Sequence, residues 1–477
     1  MTRLAIGTLF FGLGLAACGG DGGAPLPEGP TTFAYAVSEC REGHDGAFLT
    51  RQALYVRQGA SEPRLIIEFG EVGPIPPYGL CVQFGRARWG NGSVRVWPVQ
   101  RLGVSSDGGL VVFEVTDDFS LFSRSQVPPE EKGIYVVHAD GSGLRRLGPP
   151  SRAPCFVPFG STNPYFPFSP DGRTVTFTDL DPDLPRLDAP QVVTLDLVSA
   201  RRTQLTHLPP ATPPATQPSS WLAYFLKANT VVFTSYANPS TENYPQGANP
   251  DGRATLFTVK TDSTELEPIP VIAVPGGGFI PNFAITSAEP TASRIPLSGC
   301  TPVNGRSPLF GNVCLEIFVF DSAPEQVLQL TNFQRSDTQY PRLTRDRQRV
   351  HFIASANPLG ENPDNNCEFF SIDRSGTDLH QLTHIGEGHQ SKCDFPDLYG
   401  RGCSITTVRS DPITGWVTFQ SSCNPFGTNP YGSQIFTMRP DGTGLRQLTF
   451  TAGMTTEADG TVTVEAPGPW GVPGREY

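Results

Sequence analysis

Three groups of residues in this chain are of types that bind metals or build reactive sites. The first is Asp179-x-Asp181-x-Asp183 in the stretch DLDPDLPRLDAP. Carboxylates at alternate positions of a turning loop are how a calcium loop begins, because a hard cation takes six or more oxygen ligands. An EF-hand would next need Gly where Leu184 stands and a bidentate Glu where Pro190 stands, so that pattern fails twice. A looser Ca2+ site or a solvated acidic loop remains. The second group is His380, His384, His389 and Cys393. If His380 and His384 share one extended strand, they lie about 13 Å apart at roughly 3.3 Å per residue. Zinc ligands sit about 2 Å from their metal, so both cannot reach one ion. His384, His389 and Cys393 can still converge in a loop, whereas a disulfide is the competing use of Cys393. The third group is acidic: Asp117, Asp118, Glu130, Glu131, Glu361, Asp364 and Glu368, together with the Asp179 triplet. Gathered on one face, they would attract cations or basic protein surfaces; the same charges also simply solvate loops. Nucleophilic catalysis has no comparable support, since the sequence holds no G-x-S-x-G elbow.

The elements that must position these residues are strands. FSPDGRTVTFTD, starting at Phe168, is a strand end, an Asp-Gly turn and a second strand with alternating apolar residues. Related hairpins occur as SSDGGLVVFEV at Ser105 and TRDRQRVHFIA at Thr344. A second echo is LRRLG at Leu144, RTQLTH at Arg202, VLQLTN at Val327, LHQLTH at Leu379 and LRQLTF at Leu445. Joined, they define a unit of four short strands. Weaker copies are read between Thr32 and Ile67 and between Asn229 and Val271, and another from FAIT, ASRIPLS and EIFVFD. In QIFTM both alternating faces are apolar or β-branched, which demands a sheet covered on both sides. Blades stacked around an axis meet that demand; two stacked sandwich domains are the alternative.

SPDGRTVTF followed by IFTMRPDGTGLRQLT resembles the TolB-type, WD-like propeller repeat of bacterial envelope proteins. The resemblance spans nearly all of the chain after Thr32 and implies an all-β, seven-bladed β-propeller of four-stranded antiparallel blades. The region before Thr32 holds no second TolB domain, so TolB's own partners are not carried over. The first unit begins at TFAYAV without an inner strand, and Val462 and Val464 alternate in GTVTVEAPGPW. The C-terminal strand, at about 460–466, is therefore expected to complete blade one and close the ring. The Asp-Gly turns then share one plain face. The long connections (from Asp179, Ser235 and Ser355) share the other, which is the side expected to carry function.

The chain opens MTRLAIGTLFFGLGLAACGG: Arg3, then an apolar run to Ala17 of about 14 residues, short of the roughly 20 that span a bilayer. Leu15-Ala16-Ala17-Cys18 resembles a bacterial lipoprotein signal, which implies cleavage before Cys18 and lipidation of its thiol; an ordinary secretory signal is the alternative. Gly19, in place of Asp, leans toward the outer membrane. The expected organisation is a signal peptide at 1–17, a flexible tether at 18–31 and the propeller at 32–477. Fifty Gly and 48 Pro among 477 residues fit a turn-rich array. A net charge of -11 argues against a nucleic-acid partner. Of ten cysteines, nine follow Cys18, and an oxidising compartment pairs such residues. Cys300 with Cys314 and Cys393 with Cys403 are the pairs closest in sequence, although spacing does not determine connectivity. The expectation is a lipid-anchored monomer in the bacterial envelope, periplasmic or surface-facing, that binds a protein or a glycan without catalysis. An axial-mouth lyase or hydrolase using a divalent cation such as Ca2+ is the alternative.

Overall fold

The computed structural model describes residues 29–44, 46–70, 99–116, 127–152, 166–181, 189–210, 220–250, 255–269, 284–285, 294–300, 315–322, 325–333, 338–386, 393, 403–429 and 432–474. Among these, every strand pairs antiparallel with its neighbour, and the chain is an all-β propeller. Six sheets are each built from consecutive strands, and one further sheet is built by both ends of the described chain. We number them in order, the shared sheet being sheet 1.

Sheet 1 runs Gly453–Thr456, Val462–Gly471, Thr32–Gly43, Gly46–Gln58, Arg64–Phe69. Sheet 2 spans Val99–Val104 to Arg145–Gly148, and sheet 3 spans Thr174–Asp179 to Arg202–Gln204, with Phe168 bridging Val175 on its inner edge. Sheets 4 to 7 begin at Trp221, Ala284, Thr338 and Ile405. Double-sided burial follows as the residue pattern requires: Thr230–Ser235, Val417–Ser421 and Gln434–Met438 are buried at every position.

Apolar residues bind each sheet to the next. Leu54 and Val56 pack with Leu102 and Phe113 between sheets 1 and 2. Val112 and Val136 meet Val175 and Leu195 between sheets 2 and 3, and Val192 and Leu205 meet Phe225 and Phe233 between sheets 3 and 4. Ile317 and Val319 meet Phe352 and Phe370 between sheets 5 and 6. Phe369 and Phe419, with ring centroids 4.6 Å apart, join sheets 6 and 7. Each such fully buried aromatic contributes about 2–3 kcal/mol from area alone.

The ends close as expected, but with more chain than alternation alone predicts. Val462–Gly471 pairs with Thr32–Gly43 from Val462 opposite Glu42 to Gly471 opposite Ala34, beyond the anticipated 466. Gly453–Thr456 adds a further strand inside it, which the repeat pattern did not foretell. Trp470 is 1% exposed, packs with Phe33, Ile435 and Leu448, and donates from Nε1 to Gln420 Oε1 at 3.2 Å. This ring is the seam between sheets 7 and 1.

Because successive strands alternate direction, the first and third turns of each sheet emerge at one end. There the first hairpins of sheets 2, 3 and 6 are built alike, with Asp-Gly at the corner of the first two and Asp346-Arg347 in the third. Ser169 Oγ donates to Asp171 Oδ1 at 2.6 Å and accepts from the Thr174 N–H at 2.9 Å, and Gly172 takes φ +69°. Ser105 with Asp107 and Thr344 with Asp346 repeat the pattern. The QLT echo is a second device. In sheet 6, Thr383 Oγ1 donates to Glu368 Oε2 at 2.6 Å and accepts from the Phe369 N–H at 3.0 Å. Gln381 Nε2 then donates to the Thr383 carbonyl at 2.8 Å. Thr206 with Gln191, Thr331 with Glu316 and Thr449 with Gln434 do the same in sheets 3, 5 and 7. The recurring Thr thus satisfies a buried strand N–H and ties the outer strand to its neighbour.

Candidate binding face

The opposite end of the sheets carries the connections between second and third strands and from each sheet to the next. In sheets 4, 6 and 7 the first of these connections starts the same way after a fully buried strand end. Asn238, Asn357 and Asn424 each precede a Pro, and Asn249, Asn362 and Asn429 each precede another Pro. The second Asn of each pair is 3–5% exposed. Its backbone N–H donates to Oδ1 of the first Asn, at 2.6 Å in sheet 4, 2.8 Å in sheet 6 and 2.7 Å in sheet 7. Its Nδ2 donates back to the carbonyl of Ala237, Ala356 or Cys423, at 3.1, 2.9 and 3.0 Å. An amide is suited to this task because it donates and accepts at once, closing a loop in both directions. Each loop is clamped at its root without regular secondary structure.

Two disulfides fasten the same end. Cys367, at the root of the sheet 6 loop, is bonded to Cys393 across 26 residues, and Cys403 is bonded to Cys423 across 20. The pairing of Cys393 with Cys403 inferred from proximity is therefore incorrect. Cys403 enters sheet 7 beside the loop root at Cys423, and Cys393 lies over sheet 6, so each bond staples a connection to its own sheet. Cys40 is disulfide-bonded as well. Cys314 and the side chain of Cys300 lie outside the described residues.

The acidic residues separate into inward and outward sets. Glu361 and Asp364 are exposed on the sheet 6 loop. Glu368, expected beside them, is instead 2% exposed, because it opens the third strand and its carboxylate is taken up by Thr383 Oγ1 and the N–H groups of Ile385 and Gly386. Burial nevertheless pushes its pKa up, against the lowering effect of those three donors. Asp179 is also turned inward: Arg202 Nη1 lies 2.7 Å from Oδ2, and the N–H groups of Arg152 and Leu180 reach Oδ1 at 2.7 and 2.8 Å. A guanidinium thus occupies the place proposed for a cation. Asp181 accepts from Gln204 at 3.0 Å. Asp117, Asp118 and Asp183 lie outside the described residues. Near Asp179, Glu114 and Arg101 form a buried pair at 3.3 Å, and burial pushes the Glu114 pKa up despite that partner.

The histidines do not gather around one point. His380 Nε2 lies 2.8 Å from Asp378, His384 Nδ1 lies 3.0 Å from Gln381, and Cys393 is engaged in its disulfide. His389 lies outside the described residues. Among the described residues, no group of three or more His, Cys, Asp or Glu could hold a metal ion. On the inner strands, Leu102, Val104, Phe166, Phe168, Arg409 and Val472 line a crevice of about 10 Å³, room for roughly one water.

The paired Asn-Pro clamps were missed in the sequence reading, although their recurrence after the same strand was the available signal. No family model matches this chain, and no curated protein does. Among solved structures it is similar to the crystal structure of TolB from Acinetobacter baumannii, at 13% identity and TM-score 0.37, over 72% of this chain and 62% of that one. It is also similar to an oligogalacturonate lyase from Vibrio parahaemolyticus (8%, TM-score 0.41, 76% and 80% covered). A third likeness is to a Pyrococcus horikoshii acylaminoacyl peptidase (10%, TM-score 0.43, 77% and 49% covered). The chain thus spans less than two thirds of that TolB, and these are likenesses of propeller fold alone.

Proposed function

We propose that this chain is a seven-bladed, lipid-anchored propeller of the bacterial envelope that binds a partner through its long-loop face. In this reading each of the seven sheets is one blade, and Cys18 carries the lipid on a tether ending near Thr31. The observation that carries the binding role is the Asn clamp repeated in three loops and reinforced by two disulfides. Loops that merely tolerate insertion need no such fastening. A pre-ordered loop loses less conformational entropy on meeting a partner, which is what a recognition surface requires. The disulfides agree with an oxidising compartment.

Two measurements test the reading. Labelling with an alkyne fatty acid should mark the full-length chain and fail on Cys18→Ala. Intact envelopes holding the tagged chain should then show crosslinked capture that saturates and is competed by excess untagged protein. Capture that rises linearly without competition would remove the binding role. Stoichiometric Ca2+ or Zn2+ in metal analysis, with lyase or hydrolase activity, would replace it by the enzymatic alternative.

A further inference from the structure

The chain enters the propeller at a fixed place. Gly29 and Pro30 are already buried. The Thr31 N–H and Oγ1 both donate to Asp411 Oδ2, at 2.7 and 3.1 Å, and the Thr31 carbonyl accepts from the Gly59 N–H at 2.8 Å. Thr32 Oγ1 donates to the Gly108 carbonyl at 2.8 Å. Asp411 belongs to the first turn of sheet 7, Gly108 to the first turn of sheet 2 and Gly59 to the last turn of sheet 1. All three are corners of the turn end. Asp411 is fully buried, and its other oxygen accepts from the N–H groups of Ile413 and Thr414 at 2.7 and 3.1 Å, so the corner that holds Thr31 is itself fixed.

Chain length then decides which end can lie near a lipid. Cys18 and Thr31 are 13 residues apart. As a flexible linker, that length spans about 20 Å r.m.s. and about 45 Å when fully drawn out. The strand Thr32–Gly43 starts at this corner and runs toward the loop end for 12 residues, roughly 40 Å at about 3.3 Å per residue. A lipid on Cys18 therefore lies within one tether length of the turn end, while the loop end of sheet 1 stands about twice the r.m.s. length away. Resting on the lipid anchor in the reading above, we infer that the turn end faces the bilayer and the clamped loops face away from it. The surface that meets the lipid is then the one with short, uniform corners, and the loops are open to a partner from the space beyond.

The test uses the purified, lipidated chain in vesicles of phosphatidylethanolamine and phosphatidylglycerol that carry rhodamine-labelled phosphatidylethanolamine. A fluorescent amino acid is placed at position 198, where Val198 is 73% exposed at the turn end, or at position 359, where Leu359 is 40% exposed on the sheet 6 loop. Energy transfer to the lipid should be several-fold stronger from position 198. Equal transfer, or stronger transfer from position 359, would overturn the orientation while leaving the anchor and the binding role intact. Mass spectrometry of the same protein separates the other failure: a Cys18 without an acyl chain would remove the anchor, and the orientation with it.

Discussion

The two ends of the propeller are fastened by different chemistry. At the turn end each bond is local: Asp107, Asp171 and Asp346 accept from a Ser or Thr two residues earlier and from an N–H two residues later. Side-chain and backbone donors hold the Asp107 and Asp346 carboxyls below their ordinary pKa, the Ser105 and Thr344 hydroxyls contributing most. At the loop end the bonds close 5 to 11 residues or cross between strands, and burial pushes the Glu114 and Glu368 carboxyls up. Turn-end chemistry keeps the ring's corners uniform from blade to blade. Loop-end chemistry fixes individual loops that differ from one another.

The widest test removes what both ends share. A chain ending at Gly460 lacks the strand Val462–Gly471 and Trp470, which leaves the inner edge of Thr32–Gly43 unpaired. It should lose cooperative unfolding altogether in thermal denaturation. Retained melting would mean that the seam is dispensable. Next in size is the loop end alone. Replacing Cys367 and Cys393 together with Ser should cost about 3 kcal/mol, as expected for a loop of that length, and a reductant should lower the wild-type melting temperature. Equal sensitivity of a variant lacking both mapped disulfides would show that the staples lie elsewhere.

A pH test separates the buried interior from the turn-end aspartates. His351 is buried on sheet 6, and burial, with Arg349 second, lowers its pKa to about 4 from 6.5; a backbone contact at Pro440 and Asp346 oppose the shift. Above pH 6.5 both folded and unfolded states leave it neutral. Between pH 6.5 and about 4 only the unfolded chain takes up the proton, so stability falls with pH by roughly 3 kcal/mol across that window. The turn-end aspartates lose their contribution only below the ordinary value of 3.8, as pH falls through their lowered folded values. Glu114 and Glu368, with raised values, have the opposite sign, so the informative measurement is wild type against His351→Thr. That residue type stands at the matching Thr176, and the variant should show a flatter curve in denaturant melts from pH 4 to 7. Identical slopes would remove His351 as the cause.

The smallest effects compare one clamp with one turn. Asn362→Ala strips three side-chain bonds at a buried site, to the Ala356 carbonyl and to the Asn366 carbonyl and N–H, and should cost about 2 kcal/mol, whereas Asp171→Ala at an exposed turn should cost about 1 kcal/mol. Native-state hydrogen exchange should place the first loss in residues 355–368 and the second within 168–175. A larger cost for Asp171→Ala would reverse the ranking of the two ends.

Much of the frame was legible because it repeats with local chemistry. Ser169-x-Asp171-Gly172 needs only its own residues to make its turn, and Thr383 after Gln381 marks an outer strand wherever it occurs. The candidate site was less legible, since orientation decides it. Glu361 and Glu368 are seven residues apart in one acidic loop, yet one faces water and the other is buried by the start of a strand. Proximity likewise misassigned Cys393, because its partner Cys367 is brought near by the turn of sheet 6 and not by spacing.

By itself the sequence determined the strand unit, its tight Asp-Gly corners and the C-terminal strand that seals the ring, since each follows from periodicity and turn chemistry within a few residues. Only the tertiary structure decided which carboxylates face out, which cysteines meet, and that separated Asn-Pro pairs clamp three loops. Those outcomes depend on where distant backbone groups come to rest, and a buried amide or carboxylate takes whichever partner the fold puts within 3 Å.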